Sequence, residues 1–178
     1  MRILTVFVAV LAASALAQDP APAPKPADVA TPQAIVAALY DSISGPAGQK
    51  RDWDRMRSLF APGARLVPVS QRADGSGAFR PMTVEEYITG NAKAMEEGGF
   101  HEKEIFSHSD TFGRIVQVFS TYEARRKADD LQPLMRGINS IQLLGDGKRW
   151  WIANVMWQAE NPGLKVPKEF DGGGGARD

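Results

Sequence analysis

"RGINSIQLLGDGKRWWIANVMWQAE", residues 136–160, decides the fold. Two runs rich in apolar residues flank Asp146-Gly147, a pair whose members favour the positive φ of a tight hairpin turn. The second run holds Trp150, Trp151 and Trp157. Neighbours along a strand point to opposite faces, so Trp150 and Trp151 ask for bulky aromatics on both. With 146–147 as the two turn residues, Leu143 faces Trp150, Ile141 faces Ile152 and Asn139 faces Asn154. One face then carries Ile141, Leu143, Trp150, Ile152 and Met156, with Asn139 and Asn154 among them. The other carries Arg136, Ile138, Ser140, Trp151, Ala153, Val155 and Trp157. A solvated antiparallel sheet alternates apolar with polar residues. This hairpin is largely apolar on both faces, which predicts cover on both: helices on one, and on the other a second subunit or the wall of a cavity.

Upstream, the period of two begins at Phe100. "HEKEIFSHSD" (101–110) and "RIVQVFSTYEARR" (114–126) surround Thr111-Phe112-Gly113 and predict another hairpin. Three helices are expected before this strand-rich half. Thr31 caps a helix with Pro32 in its first turn and an apolar stripe of Ile35, Val36, Leu39, Tyr40 and Ile43. A short helix starts near Asp52, with Trp53, Met56 and Phe60 on one face, and stops at Pro62-Gly63. Thr83 and Glu86 form a capping box for a third helix that closes at Gly98-Gly99. "ARLVPV" (64–69) reads as a strand, which Pro68 assigns to an edge or an end. The expected class is α+β: three helices packed on a curved, mainly antiparallel sheet.

The ends read differently. "MRILTVFVAVLAASALA" has the layout of a secretory signal with cleavage after Ala17, and its apolar run is shorter than the roughly 20 residues a membrane span needs. "QDPAPAPKPADVA" (18–30) is expected to be an extended, solvated spacer, residues 31–170 the folded domain, and "DGGGGARD" (171–178) a disordered tail. The expected location is the periplasm or the exterior, with no membrane association after cleavage. The chain has 178 residues and no cysteine, which excludes disulfides and thiolate metal sites. Its 21 basic and 21 acidic residues cancel, so the basic footprint of nucleic-acid binding is missing.

The closing hairpin, with "FHEKEI" (100–105), "VFSTYEARR" (118–126) and "FRPMTVEEYI" (79–88), resembles exported bacterial proteins of the NTF2-like superfamily. That cone-shaped fold is shared by nuclear transport factor 2, SnoaL-type polyketide cyclases and ketosteroid isomerases. The resemblance spans residues 33–160. It implies a pocket between helices and concave sheet, and a homodimer through the sheet. The steroid isomerases use an acidic base with a Tyr and a second acid as oxyanion donors. No residue here is matched to those three positions, and none is carried over. A fold of this kind hosts many activities and does not assign one.

Several side chains are candidates for chemistry. Asn139 and Asn154, amides on an apolar face, either satisfy each other or orient the polar group of a small, mostly apolar ligand. Tyr122 and Glu123 reach toward the same cavity. Arg136 opposite Trp157 suits a cation–π contact, as a strand lock or an anion clamp. Asn139, Asn154, Tyr122, Arg136 and Trp157 are thus the expected ligand-binding set. Glu102 and Glu104 share a strand face, either as an acid–base pair or as a solvated strand end balanced by Lys103, Arg125 and Arg126. Strand parity puts His101 and His108, the only histidines, on opposite faces, with Glu104 and His108 sharing one. No convergent metal-ligand set, nucleophile motif or phosphate-binding loop is present, and no cofactor is expected. Three functions compete: a module binding a small apolar ligand without chemistry, an isomerase, dehydratase or cyclase, and a homodimeric interaction module with a filled cavity. An acid with a strongly shifted pKa inside an enclosed cavity favours the enzyme.

Overall fold

The computed structural model describes residues 22–172. The signal segment and its cleavage site lie outside the described residues. Helix α1 (Pro32–Ile43) begins where Thr31 Oγ1 accepts the Ala34 N–H at 3.0 Å, and Pro32 costs nothing in a first turn that has no use for its N–H. Helix α2 (Trp53–Leu59) is capped by Asp52, whose side chain accepts the Arg55 N–H. Strand β1 (Phe60–Gln71) follows without a loop and pairs with the short β2 (Gly77–Phe79). Helix α3 (Val84–Gly98) starts with the complete capping box, Thr83 and Glu86 each bonding the other's backbone, and ends at Gly99 with φ 72°. Thr83→Ala should lower stability by about 1 kcal/mol in urea unfolding, since one helix-end N–H loses its partner.

Four long antiparallel strands follow: β3 (His101–Phe112), β4 (Ile115–Arg125), β5 (Met135–Gly145) and β6 (Trp150–Ala159). The sheet order is β2-β1-β6-β5-β4-β3, with β1 parallel to β6. All three helices cover one face of this curved, open sheet. Its inner residues Val116, Val118, Ile141, Leu143, Ile152 and Val155 pack with Ile35, Val36, Leu39 and Ile43 of α1 and Met56 and Leu59 of α2.

The register of the β5–β6 hairpin differs from expectation. Gly145 pairs with Trp150, so four residues make the turn. Asp146 is the reason: its Oδ1 accepts the N–H groups of Lys148 and Arg149 at 2.7 and 2.8 Å, and a two-residue turn has no place for both. A bulge between Gln142 and Leu143 shifts the pairing again, and Asn139 meets Trp157 rather than Asn154. Val155 and Trp157 therefore join Ile141 and Leu143 on the inner side, while Asn154 and Met156 turn outward. Trp150 packs against the core, and Trp151 lies on the outer side. There its Nε1 donates to Asp146 at 2.8 Å and the Arg149 guanidinium stacks 3.6 Å from the ring centre. Arg149, not Arg136, makes the cation–π contact.

A second bulge, between Glu104 and Phe106, resets the parity of β3. His101 pairs with Arg125 and His108 with Phe119, both outer residues, so the two histidines share the outer face and Glu104 faces inward, away from His108. Two other expectations change. The stop at Pro62-Gly63 sits inside β1, where the pairing to β6 is irregular and Gly63 has φ 80°. The spacer is docked at its end: Pro26–Val29 is a 3-10 turn, Val29 is buried, and Asp28 is paired with Arg55. Apolar packing and two ion pairs, Asp28 with Arg55 and Lys25 with Asp52, override the extended tendency of the prolines.

Beyond β6 the chain crosses the outer face. The Phe170 ring packs against Phe106 and Phe119, Thr121 donates to the Phe170 carbonyl, and Arg136 binds Asp171. The chain's own C-terminal segment thus supplies part of the second cover that the apolar pattern demands.

Candidate active site

Between the helices and the concave face lies a cavity of about 170 Å³. Ligand pockets for drug-sized molecules run to roughly 300–1,000 Å³, so this one suits a compact molecule. Its wall is mostly apolar, and its polar groups are few: Tyr40 from α1, Tyr87 and Asn91 from α3, Glu102 from β3, Tyr122 from β4 and Asn139 from β5. Strand parity turns Glu102, Tyr122 and Asn139 toward the helices, and Tyr40, Tyr87 and Asn91 lie on the helix faces packed against the sheet. Trp157 closes one wall with its ring edge-on to Tyr87, centroids 6.0 Å apart.

Glu102 is the electrostatic centre. Burial pushes its carboxyl group up to about 7, against the downward pull of one hydrogen bond from Asn139. That bond joins Asn139 Nδ2 to Glu102 Oε1 at 3.1 Å. Glu102 in turn raises its phenolic neighbours: desolvation first, then the charge of Glu102, hold Tyr40, Tyr87 and Tyr122 protonated well above the usual tyrosine range. Tyr40 is fully engaged, in contact with Ser120 Oγ at 2.6 Å and accepting from Asn139 at 2.9 Å. Tyr122 is not. Its hydroxyl is buried without a hydrogen-bond partner among the described residues. The hydroxyl has room because β5 carries glycine beside it; a Cβ on Gly137 would sit 2.9 Å from the Tyr122 oxygen and 2.3 Å from the Gln158 carbonyl.

Of the ligand-binding set expected from sequence, Asn139, Tyr122 and Trp157 line this cavity. Asn154 and Arg136 do not: the bulge turns Asn154 outward, and Arg136 pairs on the outer side with Asp171, Glu123 and Glu160. Glu123 is likewise held outside by Arg125 at 2.6 Å. Sequence reasoning left Glu102 and Glu104 between an acid–base pair and a solvated strand end, and did not include Glu102 in the ligand-binding set. No local signal sets it apart; it is half-buried in the cavity wall because β3 is the strand against which α1 lies. Among the described residues no group of three or more His, Asp or Glu side chains is arranged to hold a metal.

No protein-family model matches the sequence, and a search of curated proteins finds no match. Solved structures do match. A protein from Streptomyces avermitilis, provisionally named a dehydratase of the NTF2-like family, aligns at TM-score 0.54 and 14% identity over 75% of this chain and 96% of its own. An NTF2-like protein of unknown function from Silicibacter pomeroyi aligns at 0.50 and 15%, over 74% and 94%. The fold is NTF2-like. A third structure, a protein of unknown function from Nostoc punctiforme described as cystatin-like, aligns at 0.53 and 16%, over 74% and 92%. At these identities the NTF2-like likeness fixes the architecture and leaves the chemistry to the cavity.

Proposed function

We propose that this protein is an NTF2-like enzyme that shifts a proton on a small, mostly apolar carbonyl compound. One observation carries the reading: a carboxyl group poised near neutrality and an unpartnered phenol line the same compact apolar cavity. Glu102, ionised, removes a proton from the carbon next to the carbonyl. The C–H electron pair moves into the C–C bond and the carbonyl oxygen gains negative charge. The Tyr122 hydroxyl donates a hydrogen bond to that oxygen, which satisfies its own buried donor as well. Where the substrate carries a β,γ double bond, Glu102 then returns the proton to the γ carbon of the dienolate, and the product is the conjugated isomer. The same step on a β-hydroxy carbonyl compound, with Glu102 handing the abstracted proton to the departing hydroxyl, would be a dehydration. A base with a pKa near the working pH combines adequate ionisation with proton-accepting power, which is what burial gives Glu102.

The test uses small cyclic β,γ-unsaturated ketones in D2O, followed by proton NMR. Isomerisation and deuterium uptake above the buffer rate are expected. Tyr122→Phe should slow them about 100-fold, the effect of removing one oxyanion donor. Its folding stability should hold or rise, because an unsatisfied buried hydroxyl is removed. Exchange at the buffer rate across a panel of ketones, or exchange indifferent to Tyr122→Phe, would refute the reading.

A further inference from the structure

The carboxyl group of Glu102 stands at one end of a hydrogen-bond chain that ends, outside the cavity, at a second carboxylate. Ser120 Oγ lies 2.5 Å from Glu104 Oε2 and 2.6 Å from the Tyr40 hydroxyl. Asn139 Nδ2 lies 2.9 Å from that hydroxyl and 3.1 Å from Glu102 Oε1. Three strands and one helix meet in it: Glu104 and Glu102 on β3, Ser120 on β4, Asn139 on β5 and Tyr40 on α1. Ser120 is fully buried and Asn139 nearly so, whereas Glu104 is exposed. Glu102 and Tyr40 also line a cleft outside the cavity, between α1 and β3, together with Glu104.

The direction of every bond follows from the Glu104 end. A carboxylate has no proton to give, so Ser120 donates to Glu104. A serine has one hydroxyl proton, so the Tyr40 hydroxyl donates to Ser120. Tyr40 then has only its oxygen lone pairs left, and the group on its other side must be a donor. That obliges Asn139 to present its NH2 side to Tyr40, and the second N–H of the same nitrogen falls on Glu102. We infer that Glu104 is a positioning residue: it fixes the orientation of the Asn139 amide through Ser120 and Tyr40, and so keeps an N–H donor on Glu102. This rests on the proposed role of Glu102 as base. It leaves Oε1 tied to Asn139, while Oε2, which has no hydrogen-bond partner among the described residues, is free for substrate.

Without an acceptor at position 104 the chain has a second solution. Ser120 turns its proton to the Tyr40 oxygen, Tyr40 donates toward Asn139, and the amide flips to bring its carbonyl beside Glu102. An ionised Glu102 then loses its donor and meets an acceptor, which favours the protonated acid. The other titratable groups around Glu102 are Tyr87 from α3 and Tyr122 from β4, with Asp41 and Lys103 lining the outer cleft.

The experiment is a carbon-13 NMR titration of the Glu102 side-chain carboxyl group in full-length protein. Glu104→Ala and Ser120→Ala should raise its midpoint by about one pH unit, the worth of one hydrogen bond to a charged group. Glu104→Gln, whose amide oxygen still accepts from Ser120, should leave it in place. A purely electrostatic role predicts the opposite sign, because removing a nearby negative charge lowers the midpoint in both Glu104 variants alike. A fall, or no change, in Glu104→Ala therefore overturns the inference. So does a midpoint in Glu104→Gln that moves as far as in Glu104→Ala. The titration needs no substrate. Ketone exchange without the shift would sink the chain and spare the enzyme; the shift without exchange would do the reverse.

Discussion

Glu102→Gln should make the protein more stable and nearly inactive at the same time. Burial raises this carboxyl group from its ordinary 4.5 to about 7. Between those values the folded protein keeps a proton that the unfolded chain has released. Stability therefore falls as pH rises through this window, and the full cost, about 3 kcal/mol, is present above it. Glutamine retains an oxygen that can accept from Asn139 and carries no charge, so the variant escapes this cost. At pH 5 the two proteins should unfold at similar urea concentrations. At pH 8 the variant should be ahead by about 3 kcal/mol. Exchange of ketone protons should fall about 1,000-fold, in the range expected for loss of a general base. In the parent protein the proposed exchange should rise with pH to a plateau with a midpoint near 7, as Glu102 ionises. A variant no more stable than its parent at pH 8 would show that Glu102 is solvated, and the proposed mechanism would lose its base.

That prediction turns on a residue whose position the sequence conceals. Capping and periodicity reveal the helices, because Thr31, Asp52 and the Thr83–Glu86 box are local devices that read the same in a peptide and in a fold. The four long strands after Phe100 are equally visible, and so is the demand for apolar cover on both sides of the 136–160 hairpin; β2 is not, and of β1, which lies between β2 and β6, only residues 64–69 are. Parity is what fails. One bulge at Ile105 moves His108 to the outer face, and another at Ala153 sends Asn154 outward and Trp157 inward. A bulge is a response to how neighbouring strands twist and pack, and neither site carries a glycine or proline to announce it. Asn139 and Tyr122 lie in strands with a strong apolar pattern, whereas Trp157, expected on the face opposite Asn139, reaches the cavity only through the bulge. Glu102 sits in a strand of mixed charge that is polar on paper, and only the packing of α1 against β3 brings it into the cavity wall with a raised carboxyl group.

Arg51→Met should cost about 3–5 kcal/mol, the largest loss of stability expected from a single change outside the apolar core. The guanidinium of Arg51 is buried, and it donates to five backbone carbonyls: Ile43 at 3.1 Å, Gly45 at 2.5 Å, Pro46 at 3.3 Å, Gln49 at 2.5 Å and Met95 at 2.9 Å. These belong to the end of α1, the loop after it and the last turn of α3, whose carbonyls have no helical partner of their own. One planar cation thus completes two helix ends and the loop between them. Gly45 permits the approach, for a Cβ there would lie 2.7 Å from an Arg51 nitrogen. Glu96 adds the counter-charge and accepts the Arg51 backbone N–H at 3.1 Å. Methionine fills much of the same volume and leaves all five carbonyls without the donor. Lysine retains the charge but has three donors on one nitrogen instead of a planar fork, so Arg51→Lys should recover less than half of the loss. The effect should reach the cavity as well, because Ile43, Met95 and Phe100 line its wall and the Phe100 N–H and carbonyl both bond Gly45. Slowed ketone exchange in Arg51→Lys at temperatures where it is still folded would show that this staple holds the wall in place. Urea midpoints for both variants equal to the parent's would show instead that water replaces the guanidinium at little cost, and that the two helix ends are open to solvent.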